Sequence, residues 1–179
     1  MGVEIERKFL VKEKPADLEK YPFHVIEQGY LNVIPAIRVR REDDTYYMTY
    51  KGRNTGGLRD IGKVEYNMPL DVGSYDHLVK KADGNVIRKM RYLIPLNEDA
   101  FDEAYLSDKR DINEQIGKGD IKIELDVFAA PFDGVVIAEV EFPDEETARN
   151  YNPAAWFGKE VTGDPEYSNA RMSTRIIRT

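Results

Sequence analysis

The stretch Val3-Glu4-Ile5-Glu6-Arg7-Lys8-Phe9-Leu10 sets a pattern that the rest of the chain repeats. Val3, Ile5 and Phe9 alternate with Glu4, Glu6 and Lys8, and a period of two residues is the mark of a strand with two unlike faces. The same alternation recurs over about 24–33, 36–42, 45–52, 61–69, 86–94, 120–129 and 135–142. Connections as short as Asp43-Asp44 favour antiparallel neighbours, since a parallel pair needs a crossover of about a dozen residues or more. The reading is a mainly β (α+β) fold of eight antiparallel strands with flanking helices. Ser74 is placed to cap a helix running to about 81, and Asp144 one running to about 151. Pro153 opens a short turn containing Trp156, and Ser168 caps a C-terminal helix to about 177. Between strands, 97–116 suits either helical pieces joined around Ser107, through Phe101, Ala104, Tyr105, Ile112 and Ile116, or a mobile acidic insertion.

The 179 residues predict one domain, 1–179, with no repeat or Gly/Ser-rich linker to divide it. The absence of Cys removes disulfide scaffolds, thiolate zinc sites and Cys nucleophiles. A net charge of -7 argues against a nucleic-acid-coating surface, which needs a basic face to neutralise phosphates. No apolar leader opens the chain and no run of about 18 apolar residues follows, so the expectation is a cytoplasmic protein that meets no membrane. His24 and His77 are too few for a His metal site, and neither a Walker nor a Rossmann motif is present.

Charged residues are 33% of the chain, above the usual share of about 25%, and the alternation says where they sit. Arg38 and Arg40 oppose Ile37 and Val39; Lys89 and Arg91 oppose Met90 and Tyr92. Lys122, Glu124 and Asp126 oppose Ile123, Leu125 and Val127, while Glu139 and Glu141 oppose Ala138, Val140 and Phe142. One such face on one strand is ordinary solvation. Here, however, the doublets are segregated by sign, with acids on the outer strands and bases between them. Like charges on one face repel unless a counter-ion relieves them. Paired carboxylates suit Mg²⁺ or Mn²⁺, and clustered Arg and Lys suit phosphate. The two together describe a site for a metal-polyphosphate.

Glu4-Ile5-Glu6-Arg7-Lys8-Phe9-Leu10 resembles the E-x-E-x-K opening strand of the CYTH family, the triphosphate tunnel metalloenzymes. Further along, the likeness is carried by Gln28-Gly29-Tyr30-Leu31, Arg38-Val39-Arg40, Met48-Thr49-Tyr50-Lys51, Gly56-Gly57-Leu58, Lys89-Met90-Arg91-Tyr92, Glu124-Leu125-Asp126-Val127-Phe128, Glu139-Val140-Glu141-Phe142 and Trp156-Phe157-Gly158-Lys159-Glu160-Val161-Thr162. The resemblance implies a closed eight-stranded antiparallel β-barrel tunnel with a C-terminal helix near one mouth. It implies that Glu4, Glu6, Glu139 and Glu141 hold a divalent metal with Asp126 and Glu124 nearby. Lys8, Arg38, Arg40, Lys51, Lys89 and Arg91 would grip a triphosphate, and Lys51, Lys89 and Tyr30 are the catalytic candidates, Tyr30 and Lys51 as a polar pair. Two departures stand out: Glu65-Tyr66-Asn67 occupies a place where short relatives often carry two carboxylates, and about 97–119 reads as an insertion.

The activity so implied is Mg²⁺- or Mn²⁺-dependent hydrolysis of inorganic tripolyphosphate to diphosphate and phosphate, by a monomer or homodimer. The same site would serve cyclisation of ATP, hydrolysis of thiamine or nucleoside triphosphates, or noncatalytic binding of polyphosphate or nucleotide. Trp156 reads as core packing or as a stacking surface for an organic group.

Overall fold

The computed structural model describes residues 5–53 and 63–176. Its strands are β1 (Ile5–Val11), β2 (Phe23–Val33), β3 (Ala36–Glu42), β4 (Thr45–Arg53), β5 (Lys63–Pro69), β6 (Asp83–Ile94), β7 (Ile123–Phe128), β8 (Val136–Phe142) and β9 (Phe157–Glu160). They form one antiparallel sheet in the order β5-β4-β3-β2-β6-β7-β8-β1-β9. The expected closed eight-stranded barrel is therefore corrected to an open nine-stranded sheet. The physical reason lies at β1. Val11 pairs with Phe157 and Phe9 with Glu160, so the side of β1 that closure would need is taken by β9, a stretch the sequence reading did not count among the strands. At the other end β5 is a seven-residue edge strand finishing at Pro69, and a short edge ending in proline resists further pairing.

The apolar faces of β1, β7 and β8 carry the larger core. Phe9, Ile123, Leu125, Ala138 and Val140 are buried there. Over them lie Ala148 of α4 (Glu145–Asn150), Tyr151, and Phe101 and Ile112 from the stretch holding α2 (Glu103–Leu106) and α3 (Arg110–Lys118). The 97–116 stretch is thus helical around Ser107, and its apolar residues pack. Asp144 caps α4 as its sequence predicts, accepting from Thr147 N at 2.7 Å. Trp156 stands edge-on to Phe157 at 4.5 Å and packs against this core.

On the outer side of β2, β3 and β4 lies α1 (Val72–Val79), with Tyr75 buried beneath it. Its cap is Asp71, which accepts from Ser74 N at 2.7 Å; the Ser74 expected as cap is the residue that donates to it. The last helix, α5 (Asn169–Ser173), begins at Ser168 but is shorter than predicted. It docks on β6 at Gly84, whose φ of 72° and whose close approach to the Ser173 carbonyl leave no room for a Cβ. Met172 then fills the inner face among Tyr30, Ile87, Phe128, Phe132 and Ile137. Full burial of such a side chain is worth about 1.5–3 kcal/mol, enough to anchor the short helix across one end of the inner face.

Candidate active site

Alternation places the charged doublets on the inner face. Glu6 and Lys8 of β1, Arg38 and Arg40 of β3, Lys51 of β4, Arg91 of β6, and Glu139 and Glu141 of β8 line one cavity of about 770 Å³. Glu65 and Asn67 of β5 complete the wall, so the open sheet curls until residues near both of its edges face the same space. Small-molecule sites commonly span about 300–1,000 Å³.

Two electrostatic halves divide that space. On β1, β6, β7 and β8 the cations are neutralised by the protein itself. Arg91 donates to Asp126 at 2.7 and 2.8 Å, to Glu139 at 2.9 Å, and to Glu124. Lys89 is buried against Asp126, and Lys8 lies 2.8 Å from Glu139 and 3.4 Å from Glu6. Burial disfavours the charge on Arg91, but Asp126, Glu139 and Glu124 outweigh it and hold its pKa well above the ordinary value. Burial would also raise the Asp126 carboxyl, yet Lys89 and Arg91 hold it well below the usual range. Lys89 is pushed down to about 8 by burial and by Arg91, with Asp126 opposing.

The other half is different. Arg40 donates from Nε to Gln28 Oε1 at 2.9 Å and from Nη1 to Tyr47 Oη at 3.1 Å, and its nearest carboxylate contact is Glu42 at 3.5 Å. Arg38 has no carboxylate within ion-pair distance among the described residues, and its buried Nε has no hydrogen-bond partner. Burial and the charge of Arg40 lower its pKa, partly opposed by the Tyr30 and Tyr47 hydroxyls. A cation held this way is ready for an anion.

The structure places the sequence candidates unevenly. Glu6 and Glu141 are directly paired across β1 and β8 and both reach the cavity; Glu139 does too, while engaged with Lys8 and Arg91. Asp126, with its oxygens accepting from Arg91 and Lys89, shares the inner face with Glu124 and Lys89, but the three do not line the cavity. Tyr30 and Lys51 line the cavity, Lys51 lying 2.8 Å from Glu65. Glu4 and Gly56-Gly57-Leu58 lie outside the described residues. Sequence reading gave no role to Gln28, Tyr47, Thr49 or Glu65. Gln28 and Thr49 fall in stretches that carry the resemblance and Glu65 in a departure from it; beyond that their signal was strand parity, since Tyr47, Thr49 and Lys51 share a face, as do Glu65 and Asn67. Thr49 donates to Asn67 at 2.6 Å, and Asn67 donates to Glu65 at 3.2 Å.

A divalent metal fits the acidic side on the chemistry of its donors. Among the described residues no group of three or more His, Asp or Glu is arranged as a metal cage. The Glu6–Glu141 pair instead offers two hard oxygen donors, the number that Mg²⁺ uses when waters and substrate phosphates supply the rest. No helix among the described residues is long and apolar enough to cross a membrane.

A family model, the CYTH domain, matches residues 2–155. A protein of Nitrosomonas europaea named inorganic triphosphatase is 32% identical over 177 residues, covering 97% of this chain and 98% of the relative. One of the same name from Acetivibrio thermocellus is 31% identical over 176 residues, covering 96% and 94%. The crystal structure of an inorganic triphosphatase superimposes with a TM-score of 0.66 at 29% identity, covering 98% of this chain and 97% of that one.

Proposed function

The chain belongs to the CYTH domain family, and from that premise we propose that it is a divalent-metal-dependent triphosphatase that hydrolyses inorganic tripolyphosphate to diphosphate and phosphate. What carries the reading is Arg38: a cavity-facing guanidinium beside Arg40, with an unpartnered buried Nε, across from a paired Glu6 and Glu141. Such a wall receives an anion on one side and its cation on the other. Arg38 and Arg40 would grip the phosphate chain, with Lys8 and Lys51 adding point charges from β1 and β4. Arg91 is already forked onto three carboxylates; its part is to fix Glu139 beside the metal ligands. Glu6 and Glu141 would hold Mg²⁺ or Mn²⁺, with Glu139 beside them. When bound, that ion would polarise phosphoryl oxygens and acidify a coordinated water.

The purified protein with Mg²⁺ or Mn²⁺ is expected to release phosphate from tripolyphosphate. Turnover that persists under full chelation, or in Arg38→Ala at the wild-type rate, overturns the reading.

A second reading rests on the rim. Val33, Ile34, Pro35 and Ala36 of the β2–β3 turn and Ala170 of α5 make one end of the cavity apolar, and the buried Asn169 Oδ1 there has no partner. That end suits the organic part of a thiamine or nucleoside triphosphate. Comparing kcat/KM for tripolyphosphate, ATP and thiamine triphosphate, with product analysis for cyclic AMP, separates the two.

A further inference from the structure

The cation that faces the cavity beside Arg38 is not held by an acid at its Nε. Gln28 and Arg40 are directly paired across β2 and β3, and Gln28, with none of its surface exposed, turns its Oε1 onto Arg40 Nε at 2.9 Å. Tyr47, directly paired with Arg40 across β3 and β4, accepts from Nη1 at 3.1 Å and passes its own hydroxyl proton toward Glu42 Oε2 at 2.7 Å. Neutral acceptors on both flanks have a specific consequence. A carboxylate at either place would fix the guanidinium equally well but cancel its charge, as happens at Arg91. A neutral amide and a phenol orient the fork, and because Glu42 stands off at 3.5 Å and accepts from the Tyr47 hydroxyl, most of the positive charge is left for a ligand. A buried glutamine costs desolvation unless its polar atoms are used, and this one's carbonyl is spent on Arg40.

We infer that Gln28 and Tyr47 are positioning residues that hold Arg40 aimed into the cavity with its charge met only in part, by the longer contact to Glu42 at 3.5 Å, so that it receives a phosphate group of a linear polyphosphate. The inference rests on the triphosphate reading of the site and assigns two residues to it.

Binding of the nonhydrolysable imido analogue of tripolyphosphate, measured by calorimetry with Mg²⁺, tests this beside a phosphate-release assay on the wild type. Hydrogen bonds to charged groups are worth about 1.5–3 kcal/mol, so Gln28→Leu should weaken binding about tenfold or more. Tyr47→Phe, at a half-buried site, should weaken it about threefold, the smaller effect of losing one longer contact. In an Arg40→Gln background both effects should vanish, because residues acting through one shared partner are not additive. Losses that persist in that background, or unchanged binding in a folded Gln28→Leu or in Tyr47→Phe, overturn the assignment. If the wild type binds the analogue yet releases no phosphate, the enzymatic reading falls while the positioning roles are still decided by the variants. If it does not bind the analogue at all, both fall.

Discussion

Glu6 on β1 stands directly across from Glu141 on β8, and both carboxylates face the same cavity. Directly opposed like charges are destabilising in a sheet, and under the proposed reading a divalent cation between them would convert that repulsion into attraction. Glu141→Gln should therefore leave the fold intact by circular dichroism while moving the Mg²⁺ concentration for half-maximal activity upward by about tenfold or more, since affinity for such ions tracks the number of ligand charges. An unmoved activation curve would remove Glu141 from the metal site.

Arg38 separates stability from function. With a buried Nε that lacks a partner, its replacement removes a desolvated charge, so Arg38→Met should keep or raise the thermal midpoint. The same variant should lose about a hundredfold in kcat/KM for tripolyphosphate, roughly 2.7 kcal/mol of lost interaction with a phosphate. A parallel fall in both quantities would mean that Arg38 serves the fold.

Asp126 predicts the reverse. Arg91 and Lys89 both depend on its two oxygens, and removing one member of a buried ionic cluster leaves uncompensated charge at about 3–5 kcal/mol. Asp126→Ala is expected to lower the urea midpoint sharply, with activity lost in proportion to the unfolded fraction. A stable but inactive Asp126→Ala would instead give the residue a direct role in the chemistry.

The contrast between Arg38 and Arg91 marks what a sequence shows and what it withholds. Alternation in Arg38-Val39-Arg40 and in Lys89-Met90-Arg91 told which face each cation takes, because side-chain direction on a strand is local. It did not tell that Arg91 would meet Glu124, Asp126 and Glu139 while Arg38 would meet Tyr30, Tyr47 and Thr49. That difference comes from β6 lying beside β7 and β3 lying between β2 and β4, which is a matter of strand order. Closure failed for the same reason. Phe157–Glu160 is only four residues long and carries no alternation run to announce a strand; its existence depends on β1 being there to receive it. Gln28 was hidden differently, since a lone glutamine in a strand looks solvated until its neighbour across the sheet is known to be Arg40.

Asp144 offers a test of how the fold supports β1. It caps α4 through Thr147 N at 2.7 Å and also accepts from the Thr147 hydroxyl; the backbone bond above all, with the side-chain bond, holds its carboxyl below the usual range against the opposing effect of burial. From the last turn of α4 and the residue after it, Ala148 and Tyr151 present carbonyls that accept from Arg7 Nη1 at 3.2 and 2.9 Å, so the cap indirectly fixes the strand that carries Glu6 and Lys8. A carboxyl whose pKa is lower folded than unfolded contributes its full stability above the unfolded value, near 4 for aspartate, and loses it as the pH falls through the folded one. Asp144→Ala should cost about 1 kcal/mol near neutral pH, in line with other N-cap losses, and the gap between wild type and variant should shrink as urea titrations are carried down from pH 5 toward pH 2. A gap that stays constant over that range would mean the charge of Asp144 is not what holds the cap.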